Sequence, residues 1–197
     1  MSKKVDSGII GLAKRVYLKY FVGYKDAQHY WDSRYGLKLK SDIYQELQAI
    51  DEIATFESNI IAALAAHGCT SVLEIGCGRG KHRDIPGWVG LDFSINVLKQ
   101  SGLKEFVYAD FTYRIPLPDK SFDCVMCQSV LLHVPPSKIE FVAAEMCRVA
   151  KRLVIISEPR IPGDSKNFSF AHNFEKIFNN TPFTGKVEYI KGTNQNA

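Results

Sequence analysis

The chain has 197 residues, 46% of them hydrophobic and 23% charged. That size and balance fit one soluble domain with a short extension, and exclude a wholly disordered chain, a collagen-like repeat and a small disulfide-held module. The net charge of +4 is uneven: residues 1–40 hold nine Lys/Arg against three Asp/Glu, so the remainder is mildly acidic, whereas a nucleic-acid binder spreads basic residues over a broad face.

Residues 1–40 read as a basic N-terminal extension or lid. Ile9, Leu12, Val16, Tyr20 and Tyr24 recur at spacings of three or four, which predicts a helix carrying Lys14, Arg15 and Lys19. Such a helix packs on the domain, covers a pocket, or makes a peripheral membrane contact through residues 9–24. Residues 41–197 read as the main domain. Ser41 caps a helix whose stripe runs from Ile43 through Leu64, and Gly68 stops it. From Ser71 the pattern alternates. Strands are expected at Ser71–Ile75, Trp88–Leu91, Glu105–Ala109, Phe122–Cys127, Leu153–Ser157 and Lys186–Ile190, with helices at Ser94–Ser101, Pro136–Ala150 and Ser169–Phe178. This alternation predicts an α/β, Rossmann-like, doubly wound and mostly parallel sheet of six or seven strands with helices on both faces.

Five cysteines, an odd number, lie in or beside apolar runs, as reduced thiols in a cytoplasmic protein do. Cys124 and Cys127 have metal-site spacing, but within a strand positions i and i+3 face opposite ways, so both are expected in the core. No metal site is predicted. Ser7–Ala13, the one apolar run near the N-terminus, is cut short by Lys14-Arg15, so no signal peptide is expected, and no stretch nears the ~20 apolar residues of a membrane span.

The chemistry gathers after the first strand. In Glu74-Ile75-Gly76-Cys77-Gly78-Arg79-Gly80 three glycines alternate, making a tight turn whose backbone a ligand can approach closely. Asp92 ends the second strand, where a carboxylate accepts hydrogen bonds from ribose hydroxyls; nicotinamide and S-adenosylmethionine sites share that feature. Two features separate them. A carboxylate at Glu74 suits a cationic ligand, and GxGxG lacks the GxGxxG spacing that aims a helix N-terminus at a pyrophosphate. Asp110 closes the third strand, placed to accept from an adenine amino group with Phe111 beside the ring. Gln128 to Val134 follow the fourth strand's carboxyl end, where open α/β sheets bind ligands.

The ordered set VLEIGCGRG, VGLDFS, YADF, LPDKSFDCVMCQSVLLHV and RLVIISEP resembles a class I S-adenosylmethionine-dependent methyltransferase of the type 11 methyltransferase-domain family, from about Ser71 to Pro159. The resemblance implies S-adenosylmethionine as cofactor. It implies that Glu74, Gly76, Cys77, Gly78 and Gly80 surround the methionine part and ribose. Asp92 would hold the ribose hydroxyls, and Phe93, Asp110 and Phe111 would form the adenine site. Gln128 would face the methionyl end. Two departures stand out. Only Lys81–Gly87 separates the glycine loop from the second strand, a shortened first crossover with room for about two helical turns. The C-terminal antiparallel hairpin is truncated to one expected strand. With no separate substrate domain, the N-terminal segment and the Arg160–Asn167 loop are expected to cover the acceptor.

Methylation by a sulfonium needs alignment and exclusion of water more than catalytic side chains. A hydroxyl acceptor also needs a base, and His133 is the first candidate, with His172 second. DNA amino-methylating enzymes carry Asp/Asn-Pro-Pro-aromatic after the fourth strand. Gln128-Ser129-Val130-Leu131 stands there instead, which disfavours nucleic acid and leaves a small-molecule, sugar or lipid-linked acceptor. The alternatives are a non-catalytic S-adenosylmethionine-binding module and a nicotinamide-dependent oxidoreductase. Oligomeric state is not readable.

Overall fold

The structure, a computed structural model, describes residue 31 and residues 50–158 and 169–190. The expectations for residues 9–24, for Ser41 and for the Arg160–Asn167 loop lie outside the described residues. The chain divides into two units, residues 1–38 and 39–197; the helices and strands from Ile50 onward belong to the second.

Helix α1 (Ile50–Ala66) leads through Gly68 into β1 (Val72–Ile75). Then come β2 (Trp88–Asp92), α2 (Ile95–Ser101), β3 (Phe106–Tyr108), β4 (Phe122–Gln128), a 3-10 turn at Leu131–His133, α3 (Ile139–Val149), β5 (Ala150–Ser157), α4 (Phe174–Asn179) and β6 (Lys186–Tyr189). The sheet has six strands in the order β3-β2-β1-β4-β5-β6, and every pair is parallel. The α/β class is as expected, but the sheet is parallel throughout the described residues rather than mostly so. The last strand joins β5 in parallel instead of forming half of a hairpin.

The central strands explain themselves. Residues Val72–Ile75 and Asp123–Cys127 are wholly buried runs, as strands covered on both faces must be. Leu73, Ile75, Val125, Cys127, Val154 and Ile156 meet Val142, Ala143 and Met146 of α3 and Phe178 of α4 in one core. Cys124 and Cys127 are both free and buried, and Cys124 is not part of that cluster; the two sulfurs diverge, as strand geometry requires.

The shortened first crossover is present, and two helices differ from expectation. Residues 76–87 hold no α-helix, only successive turns closed by Gly80 N–H to Cys77 O, Arg83 N–H to Gly80 O and Ile85 N–H to His82 O. Helix α3 starts at Ile139, after a turn through Pro136. The helix expected over Ser169–Phe178 shrinks to α4, because Asn173 caps it by accepting from Lys176 N–H and the preceding residues run extended along Leu132 and Val134.

Candidate functional site

The order β2-β1-β4 puts a topological switch point between β1 and β4, where the crevice outside the carboxyl ends of the strands binds ligands. The glycine turn occupies that edge. Gly76 has φ +67°, and a Cβ there would lie 2.5 Å from Val130 Cγ2, so the Val130 side chain rests directly on bare backbone. Gly78 has φ +55°, and its N–H donates to Asp92 Oδ2 at 2.9 Å. Cys77 N–H donates to Leu91 O, and Gly80 N–H closes the turn onto Cys77 O. The turn from β1 is thereby stitched to the end of β2.

Asp92 is buried, and its Oδ1 accepts from Ser94 N–H at 2.8 Å. Each carboxylate oxygen has about two acceptor positions, so Asp92 can order the turn and also accept from a ligand. Its backbone carbonyl accepts from Ala109 N–H, which brings Asp110 beside it. Asp110 Oδ1 is committed to the Thr112 N–H and hydroxyl at 2.9 and 2.7 Å; Oδ2 is left to accept. Phe93 and Phe111 stand edge to face with ring centroids 6.4 Å apart. Asp92, Phe93, Asp110 and Phe111 therefore converge, and a nucleoside's diol, ring and amino group match that set.

Glu74 does not join them. It is 4% exposed. Its Oε2 accepts from Trp88 Nε1–H at 2.7 Å and its Oε1 pairs with His82 Nδ1 at 2.8 Å. In this structure the two Glu74 oxygens hold the helix-free crossover in place. Cys77 is no nucleophile either: burial, then the nearby Asp92 and Glu74 carboxylates, push its thiol pKa up, so it stays protonated.

Gln128 ends β4 half-buried, in register with Ser157. His133 lies half-buried in the 3-10 turn at the same edge, its N–H donating to Val130 O. His172 hydrogen-bonds Val134 O through Nε2 at 2.8 Å. Sequence reasoning assigned no role to Glu158. It is buried at the end of β5, and its carboxylate accepts from the N–H groups of Val130, Leu131 and Leu132. The acidic residue closing a strand on the ligand side was the available signal. Asp123 sits at the opposite end of the sheet, tied to Thr70 and Lys151. Two surface hollows, one along α4 and one beside Arg114 and Arg148, contain none of these site residues. Among the described residues no three His, Cys, Asp or Glu could hold a metal ion, and no helix is long and apolar enough to cross a membrane.

Residues 73–156 match the family model described as "Methyltransferase domain". Over that stretch, under half of the chain, the sequence is similar to the type 11 methyltransferase domain. An uncharacterised protein of Methanocaldococcus jannaschii, MJ0638, is 38% identical over 66 residues, 32% of this chain and 29% of its own length. The chain thus matches under a third of that curated relative. Two solved structures share the fold of the methyltransferase domain. The amino pentose methyltransferase CalS10 of Micromonospora echinaspora is 18% identical over 64% of this chain and 58% of its own, with a TM-score of 0.52. DesVI of Streptomyces venezuelae is 20% identical over 61% and 56%, with a TM-score of 0.51.

Proposed function

We propose that the whole chain is a methyltransferase that transfers the methyl group of S-adenosylmethionine to an oxygen or nitrogen of a small-molecule, sugar or lipid-linked acceptor. The observation that carries the reading is the 2.9 Å bond from Gly78 N–H to Asp92 Oδ2 at the β1–β2 edge beside the switch point, which joins the glycine turn and the diol-binding carboxylate into one cradle. When bound, the cofactor supplies an activated methyl group on a sulfonium. The chain's own residues then bind and align. Gly76, Cys77, Gly78 and Gly80 offer backbone to the methionine part and ribose. Asp92 accepts from the ribose hydroxyls. Phe93 and Phe111 flank the adenine, and Asp110 Oδ2 accepts from its amino group. Gln128 orients the methionyl end. For a hydroxyl acceptor, an imidazole nitrogen of His133 takes the acceptor's proton as the carbon–oxygen bond forms.

The nicotinamide alternative loses support. A dinucleotide pyrophosphate sits on a helix N-terminus after the glycine turn, and residues 76–87 form turns instead. Thermal-shift titration tests the choice: S-adenosylhomocysteine raises Tm and NADH leaves it unchanged, whereas the reverse pattern would make the chain an oxidoreductase. A non-catalytic module would bind the cofactor product yet turn over no acceptor. With an acceptor in hand and saturating cofactor, His133→Ala lowers kcat by about 10²- to 10⁴-fold if His133 is the base; an unchanged kcat removes it from that role.

A further inference from the structure

We propose that Glu158 is a positioning residue: it fixes the segment Ser129–Leu132 so that Val130 presses on Gly76, and through that contact it sets affinity for the adenosyl ligand. The inference rests on the functional reading above. Ser129 leaves β4 in the left-handed region, φ +54°, a conformation that costs a non-glycine residue about 1–2 kcal/mol unless its surroundings hold it. Two consecutive residues at the end of β5 do so. Ser157 O accepts from Ser129 N–H at 2.8 Å. Glu158 Oε1 accepts from Val130 and Leu131 N–H, both at 2.9 Å, and Oε2 from Leu132 N–H at 3.2 Å. Glu158 is 7% exposed, so these bonds are shielded from water. Charge-assisted bonds are the strong kind, and leaving such donors unmet indoors is costly. The segment held this way delivers the Val130 side chain into the space a Cβ on residue 76 would take. The end of β5, the post-β4 segment and the glycine turn form one connected wall of the crevice between β1 and β4.

The test uses the full chain, calorimetric titration of S-adenosylhomocysteine, and amide hydrogen exchange at residues 130–132. In Glu158→Gln one oxygen can still accept from two amides, but the amide NH₂ cannot accept from the third. We expect affinity to fall roughly tenfold in Glu158→Gln and roughly a hundredfold in Glu158→Ala, with exchange protection at Val130, Leu131 and Leu132 falling in the same order. Val130→Ala weakens binding in the wild-type background and adds little in Glu158→Ala, the coupling expected of one pathway. Folded variants that lose Tm but bind at wild-type affinity would overturn the proposal and leave Glu158 a stability residue. Should Glu158→Ala fail to fold, Glu158→Gln and Val130→Ala decide, and wild-type affinity in both overturns it. Absence of binding by the wild-type chain itself would instead overturn the functional reading.

Discussion

Gly76 joins two independent constraints in one residue. Its φ of +67° lies where a side chain is strained, and its missing Cβ makes room for Val130. Val130 is β-branched and stiff at χ1, so it cannot easily swing aside. Gly76→Ala therefore adds left-handed strain, about 1–2 kcal/mol, to overpacking of about 1–3 kcal/mol. Urea denaturation should show a loss of about 2–5 kcal/mol; a loss below about 1 kcal/mol would mean that Val130 does not hold the turn. Glu74 is the complementary case. Its position just before the glycines made it look like a ligand group, and nothing local said otherwise. Its partners, His82 and Trp88, come 8 and 14 residues later, and only the path of the crossover brings them there.

That crossover illustrates how an element compensates for a missing one. A parallel β1–β2 pair needs a connection of a dozen or so residues, usually a helix. Here turns suffice, pinned from inside by the buried Glu74 carboxylate and from outside by Arg83, which donates to Gly80 O and Arg79 O. At the amino end of the sheet, Asp123 joins β4 to the approach to β1. The Thr70 N–H and then its hydroxyl, with Lys151 adding to them against a desolvation cost, hold the Asp123 carboxyl well below the usual carboxylate range. The folded state thus binds this proton less readily than the unfolded state. The stabilisation is complete above the ordinary Asp pKa of about 3.9 and is lost as pH falls through the lower folded value. The stability gap between wild type and Asp123→Asn should therefore stay constant above about pH 5 and narrow as pH falls from there toward about 2. A gap constant with pH would show that the Asp123 charge contributes nothing.

Across the domain, apolar side chains fill the sheet's middle and polar ones gather at its carboxyl edge. The strands could be read directly, because buried parallel strands are continuous apolar runs and their ends are marked by Gly, Asp and Ser. The places of Asp92, Phe93, Asp110 and Phe111 could be read too, since each ends or follows a strand and parallel pairing aligns those ends. Features made by distant partners could not. Glu158 meets amides 26–28 residues earlier in the chain, and before α4 the Phe170 N–H goes to Leu132 O and the His172 ring to Val134 O. Neither relation has a local period or spacing to betray it.

In the proposed function, cofactor recognition depends on a single cradle at the β1–β2 edge. Calorimetric titration of S-adenosylhomocysteine into the full chain and into Asp92→Asn addresses it directly. The expected result is saturable single-site heat for the wild type and affinity at least roughly tenfold lower in Asp92→Asn, which loses a charged acceptor for the ribose hydroxyls. No heat with folded wild-type protein, or identical affinities for the two, would contradict it.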